Sequence, residues 1–388
     1  MTKPYSFKTK AVHAGRDRSS IPHVPTIDLS TTARISQLEQ AIDSIDALNQ
    51  GLSNAPNPIY SRLQNETVAG FERALANLEE AEAAVAFSSG MASITALLLA
   101  AAQRGSKIIA LRPIYGGTDA LLCSKLLPID VEWSTVEQLK DALTPDVALI
   151  WIETPANPTC QLQDIAEIVK IAGPIPVAVD STFASPVLQQ PLKLGADYVV
   201  HSATKFLGGH SDVLAGVVAC SEHNAQRLRK IRILTGANLH PLSGYLLHRG
   251  LQTLPLRVEA AQTNATQIAA QLLEHPSVSN VYHPSLTHCD PKGLVGTQMA
   301  GPGSLLAFEV KGGQHQAAKV MNAVKLCTPA VSLGSVDTLI QHPAGLTHRN
   351  ASEASRTLSG ITDDLLRMSV GIEDPNDIWL DVKQALEQ

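Results

Sequence analysis

The sequence predicts an α/β protein with one large, mostly parallel sheet flanked by helices and a smaller α+β region after it. Three observations carry this expectation. Short apolar runs rich in β-branched residues recur between helical stretches, as strands buried on both faces do. Strands separated by helices favour a parallel sheet. The 388 residues are also too many for one small core, so a large unit plus a smaller one is the natural division. With 44% hydrophobic and 17% charged residues the composition is that of a globular chain. The net charge of -6 comes without a run of like charge, which offers nothing to nucleic acid or a membrane surface. The start "MTKPYSFKTKAVHAG" has no apolar core of a leader and no apolar stretch approaches a membrane span, so a cytoplasmic location is expected.

Taken in order, residues 1–60 are rich in Ser, Thr, Asn and Pro with little periodicity and read as an extended arm that must lie against something. From Asn65, the residues Val68, Phe71, Leu75 and Leu78 recur at spacings of three and four, one face of a helix. "FSSGMASITALLLAAA" (87–102) is a Ser/Gly turn running into a helix. "KIIAL" (107–111), "VALIWIE" (147–153), "VAVD" (177–180), "DYVVH" (197–201) and "AGVVAC" (215–220) read as strands. Beyond Leu256 a long helical pattern leads to "GSLLAFEV" (303–310) and "DLLRMSVGIED" (364–374). The expected division is an arm over 1–60, an α/β domain over 61–255 and an α+β domain over 256–388. The five cysteines are scattered without CxxC spacing, so reduced core thiols are expected rather than zinc or disulfides. The 13 histidines show no HExxH pairing.

Ligands of open α/β sheets sit beyond the carboxyl ends of the strands. There the chain places Glu153, Asn157, Asp180, Ser202, Thr204 and Lys205. Lys205 and Asp180 alone fit a structural ion pair as well as chemistry. The turn at Gly90 and Met91 adds backbone N–H groups able to hold a phosphate at a helix start, although such a turn is often only a cap. Lysine, acid and phosphate site together are what pyridoxal phosphate (PLP) requires. Lys205 would supply the amine for the Schiff base. Asp180 would keep the ring nitrogen protonated, and Gly90, Met91, Ser202 and Thr204 would take the phosphate. In "RPIYGGT" (112–118), Tyr115 is the aromatic candidate for the cofactor face, with a plain core or surface tyrosine as the alternative.

At these residues the sequence resembles a known family. "YSR" (60–62), "SSGMASI", "ETPANP", "HSATKFLGGHSDVLAG", "SLGSVDTLIQHPAGLTH" (332–348) and "LRMSVGIED" (366–374) are similar, in order, to motifs of the Cys/Met-metabolism branch of fold-type-I PLP enzymes. The resemblance implies the aspartate-aminotransferase-like fold and a homotetramer of two active dimers. It implies that Tyr60 and Arg62 reach the phosphate of the partner subunit's cofactor. It assigns Arg367 and Ser332 to the substrate α-carboxylate, Asn157 to the cofactor's phenolic oxygen and Thr182 to the back of the ring. An arginine clamp suits a carboxylate because its planar fork meets two oxygens. Ser181 stands where asparagine usually follows the ring-binding aspartate, and "NET" (65–67) where "NPT" is common.

Relatives acting on cystathionine or a succinylated homoserine carry an arginine five residues after the stacking tyrosine; here that position is Ala120. The resemblance therefore points to a short, uncharged substrate side chain, as in methionine γ-lyases. Gly117, where cysteine is frequent, and Arg232 with Ile233, where a Lys-Asp pair is frequent, depart from that branch. The expected chemistry is α,γ-elimination from a sulfur amino acid, with Lys205 as base and Tyr115 as the acid at the leaving sulfur, giving a 2-oxo acid, ammonia and a thiol. Cystathionine γ-lyase or γ-synthase chemistry and a non-catalytic PLP-binding paralogue are the alternatives. A nicotinamide dehydrogenase would need a GxGxxG after an early strand, which is missing.

Overall fold

The computed structural model describes residues 5–16, 22–53, 55–349 and 353–388. Among the described residues twelve strands form two sheets: β1 (Ala83–Phe87), β2 (Lys107–Leu111), β3 (Asp130–Ser134), β4 (Val147–Glu153), β5 (Val177–Asp180), β6 (Tyr198–His201) and β7 (Gly216–Cys220), then β8 (Val278–Tyr282), β9 (Leu305–Val310), β10 (Thr328–Pro329), β11 (Leu339–Gln341) and β12 (Leu365–Ser369). The first sheet has the order β1-β7-β6-β5-β4-β2-β3. In it β7 runs opposite to the other six strands, pairing antiparallel with both β1 and β6.

Alternate residues of the central strands feed two cores. Val199 and Val217 pack with Phe71, Leu75, Leu78 and Leu247 on one face, whereas Val200 and Val218 pack with Phe87, Leu97, Leu98 and Trp151 on the other. Burial on both faces is why these strands read as unbroken apolar runs. The second sheet, β10-β11-β12-β9-β8, is covered by the helices Leu254–Leu273, Gly313–Ala323 and Pro375–Leu386 through Ile268, Leu272, Val320, Ile378 and Val382.

The helix expected from Asn65 spans Glu66–Glu79, and the Asn65 side chain caps it by accepting from Val68 N at 3.2 Å. The arm differs from expectation. It contains helices Phe7–His13 and Leu38–Asn49. In the latter, Ala41, Ser44 and Leu48 are buried while Leu38, Ile42 and Ile45 are exposed, so one apolar stripe of the helix has no cover from the described residues. The cysteines also depart in part: Cys160, Cys220 and Cys327 are buried, but Cys123 is exposed and Cys289 half-buried. Among the described residues no helix is long and apolar enough to cross a membrane.

Candidate active site

The carboxyl ends of β2, β4, β5 and β6 open onto a cavity of about 550 Å3. Of the residues singled out in the sequence, Gly90, Met91, Tyr115, Asn157, Asp180, Thr182, Ser202, Thr204, Lys205, Ser332 and Arg367 all line it. They arrive from both sheets. Lys205 lies in the turn after β6, and its Nζ donates to Ser332 Oγ at 2.8 Å. Burial, with the Arg367 charge adding to it, lowers the Lys205 amine to about 8.

Ser332 has φ +111°, a backbone region that residues with a Cβ rarely adopt. In that conformation its hydroxyl meets Lys205 while its carbonyl accepts from Arg367 Nη2 at 2.6 Å. Arg367 sits on β12 opposite Gln341 of β11. Its Nη1 donates to Asn157 Oδ1 at 2.8 Å, and burial lowers the guanidinium to about 10. The side-chain oxygen of Gln341 accepts from both terminal nitrogens at 3.2 Å, so the fork is held from three sides.

Asp180 ends β5, next to Glu153 across the ladder. Thr182 donates to Asp180 Oδ1 twice, from its N–H at 3.0 Å and from its hydroxyl at 2.6 Å. The same hydroxyl accepts from Ser202 N at 2.9 Å. Both bonds fall on Oδ1, so among the described residues Oδ2 is left without a donor. Burial pushes the Asp180 carboxyl up and the two Thr182 bonds oppose this. Ser181 is buried and bonded, through its N–H to Val200 O at 3.0 Å and through its hydroxyl to Gln189 Nε2 at 3.1 Å. Serine is therefore a satisfied substitute for asparagine here.

The helix Gly90–Ala101 begins at the same cavity, capped by Ser89, whose hydroxyl accepts from Ala92 N at 3.1 Å. The N–H groups of Gly90 and Met91 have no acceptor among the described residues. A Cβ at Gly90 would lie 3.0 Å from Ser202 Cβ and Oγ, so glycine lets the helix start and the turn after β6 close on each other. Thr204 lines the cavity too; its hydroxyl donates to Ala215 O at 3.1 Å and accepts from Ala215 N at 3.0 Å. Tyr115 precedes the helix Gly116–Cys123. A Cβ at Gly117 would come within 2.5 Å of the Tyr115 ring, so this glycine sets the room the ring has.

Tyr60 and Arg62 do not line this cavity. The Arg62 guanidinium lies 5.5 Å from the Tyr60 ring centroid and donates to Ile233 O at 3.0 Å. Arg232 is also elsewhere, buried between Glu72 at 2.5 Å and Ala86 O at 3.0 Å. Ala120 is exposed and outside the cavity wall. Sequence reasoning noted Glu153 only as a polar strand end; it lines the cavity together with Ser89, Phe183, Leu214, Val331, Leu346 and Thr347. Of these, Ser89, Leu214, Leu346 and Thr347 fall inside quoted motifs, whereas nothing in the pattern marked Phe183 or Val331.

The profile of a family described as "Cys/Met metabolism PLP-dependent enzyme" matches residues 8–387. The chain belongs to this family. An L-methionine gamma-lyase of Streptomyces avermitilis is 48% identical over 98% of this chain and 89% of its own length. One of Brevibacterium sandarakinum is 46% identical over 98% and 97%. Among solved structures, the cystathionine gamma synthase of Xanthomonas oryzae pv. oryzae in complex with cystathionine aligns with TM-score 0.91 at 33% identity over 99% of this chain and 98% of that one.

As a PLP-dependent enzyme of fold type I, the chain needs three things in one place: an anion site, an acid for the ring nitrogen and an amine. The unpartnered N–H pair at Gly90 and Met91, the free Oδ2 of Asp180 and the buried amine of Lys205 meet those needs. The chemistry of the residues present fits the cofactor.

Proposed function

We propose that the chain is a carbon-sulfur lyase that releases a thiol from methionine or a similar uncharged thioether amino acid by α,γ-elimination. One observation carries the preference over cystathionine. The only cationic side chains among the described residues that line the cavity are Lys205 and Arg367, so a second, distal carboxylate finds no partner among them. Leu214, Val331 and Leu346 offer apolar surface instead. The 46–48% identity to proteins named L-methionine gamma-lyase supports the same reading.

Gly90 and Met91 N–H with Ser202 would hold the phosphate, Asp180 the ring nitrogen, Lys205 the aldehyde, and Tyr115 the ring face. The bound cofactor supplies an electron sink for negative charge developed beside the amino group. Arg367, aimed by Asn157, orients the substrate carboxylate through its buried charge and planar fork. Lys205, steadied by Ser332, takes the proton from Cα, and a second deprotonation at Cβ supplies the electron pair that lets the γ-substituent leave. An amine with its pKa near 8 is neutral in about one molecule in ten at pH 7, enough to act as a base. Burial raises the Tyr115 hydroxyl above its usual range, which keeps the proton on it until the leaving sulfur takes it.

Cystathionine chemistry is the second reading, favoured by the fold match to a cystathionine gamma synthase. A non-catalytic paralogue is disfavoured by Lys205, Asp180, Tyr115 and Arg367 meeting in one cavity. The deciding assay offers L-methionine, L-homocysteine and L-cystathionine side by side and quantifies 2-oxobutyrate and released thiol. Preference for cystathionine overturns the substrate reading, and turnover by Lys205→Ala overturns the role of that lysine.

The division into arm (1–60), cofactor-binding part (61–255) and C-terminal part (256–388), the homotetramer and the cytoplasmic setting belong to the same proposal. The position of Tyr60 and Arg62 outside their own chain's cavity supports a role at the partner's site, and the uncovered stripe of Leu38, Ile42 and Ile45 supports an interface. A solution mass equal to one chain would overturn the assembly.

A further inference from the structure

Glu153, the last residue of β4, is almost fully buried. Its two carboxylate oxygens face two different loops. Oε2 accepts from Tyr115 N at 2.6 Å, in the loop after β2, and Oε1 accepts from Asn157 N at 2.8 Å, in the loop after β4. Each loop carries one working side chain into the cavity. Tyr115 presents its ring, and Asn157 passes the constraint on through Oδ1, which accepts from Arg367 Nη1 at 2.8 Å. A carboxylate suits this position because it accepts on both oxygens. A carboxamide has one oxygen, and its NH2 would be turned toward one of the two N–H groups at bonding distance.

An acid here is not placed for ease. Burial and the neighbouring Asp180 both oppose its ionisation, while the two backbone N–H groups and Arg367 favour it. A neutral residue would avoid that conflict, so two-sided acceptance is what the carboxylate contributes.

We propose that Glu153 is a positioning residue that sets, with one carboxylate, both the backbone of Tyr115 and the Asn157–Arg367 arm that orients the substrate carboxylate. The inference rests on the cofactor site proposed above but not on methionine as the substrate.

The test uses PLP-loaded enzyme and the Glu153→Gln variant, with three readouts: the rate of PLP release on dilution, KM and kcat for the best substrate, and Tm. The variant leaves one of the two backbone donors unmet, so it is expected either to release PLP faster, where Tyr115 N loses its acceptor, or to show a raised KM, where Asn157 N does, by roughly ten- to hundred-fold. In an Asn157→Ala background, which cuts the link to Arg367, the same change should leave KM nearly untouched. A lowered Tm with PLP release and KM unchanged would overturn the proposal, since a merely structural acid behaves that way. If the glutamine variant fails to fold, Glu153→Asp serves. It keeps the charge but is one methylene short of spanning both loops, so full retention of both properties by aspartate overturns the bridge. Absorbance of the wild-type protein for bound PLP is read first; its absence would remove the cofactor site itself, separately from the role of Glu153.

Discussion

Replacing Lys205 by methionine in the cofactor-free protein should stabilise it below pH 8. The amine is lowered from 10.5 to about 8 on folding, a difference of about 2.5 units, or about 3 kcal/mol unfavourable to the charged form. Methionine fills a similar stem without the charge and loses the hydrogen bond to Ser332 Oγ, worth about 1 kcal/mol. The net gain is about 2 kcal/mol, seen as a rise in Tm of about 2–4 °C for a chain of this length. Its pH dependence has a definite sign. Below pH 8 the lysine is protonated in both folded and unfolded chains and the penalty is complete; between 8 and 10.5 it shrinks as the folded form sheds its proton; above 10.5 it is gone. Thermal unfolding of the two PLP-free proteins at neutral and at alkaline pH measures this directly. A variant no more stable than wild type at pH 7, or one whose advantage grows with pH, would refute the account of Lys205 as a buried, reluctantly charged amine.

Other substitutions separate the remaining contributions. Arg367→Lys keeps a charge but not the fork that reaches Asn157 and the Ser332 carbonyl. Steady-state kinetics should show KM raised roughly ten- to hundred-fold, with kcat less affected. Ser332→Gly and Ser332→Ala both remove the hydroxyl on Lys205, but only glycine relieves the φ of +111°; thermal unfolding should place the glycine variant above the alanine variant by about 1 kcal/mol. Arg232→Met leaves the largely buried Glu72 without its partner, and denaturant unfolding should register a loss of about 3–5 kcal/mol.

The central strands were legible in the sequence because burial on both faces removes polar residues from them, and the residues just after each run then mark the sheet's carboxyl edge. Asp180 and Lys205 were found in that way. Other elements hid for identifiable reasons. β1, "AAVAF", is rich in alanine, a weak strand former, and owes its conformation to five paired positions along β7. The helix Leu38–Asn49 does carry its apolar residues at spacings of three and four, but the Ser- and Pro-rich flanks masked them. Resemblance placed Arg367 and Asn157; spacing alone could not, because they meet across 210 positions of chain. Thr204 shows another limit: its type suits a phosphate, whereas its bonds to Ala215 N and O join positions 11 apart that no spacing rule pairs.

The cavity draws Lys205 and Asp180 from one sheet and Arg367 from the other. Leu305 of β9, Met299 and Leu333 pack into the core under the first sheet, and Gln298 bonds Ile165 N and Gln189 Oε1, so the two sheets stand at a fixed distance. An amino acid held by its nitrogen at the first and by its carboxylate at the second is measured against that gap. A ligand whose amine and carboxylate are set farther apart than on one carbon cannot engage both sheets at once.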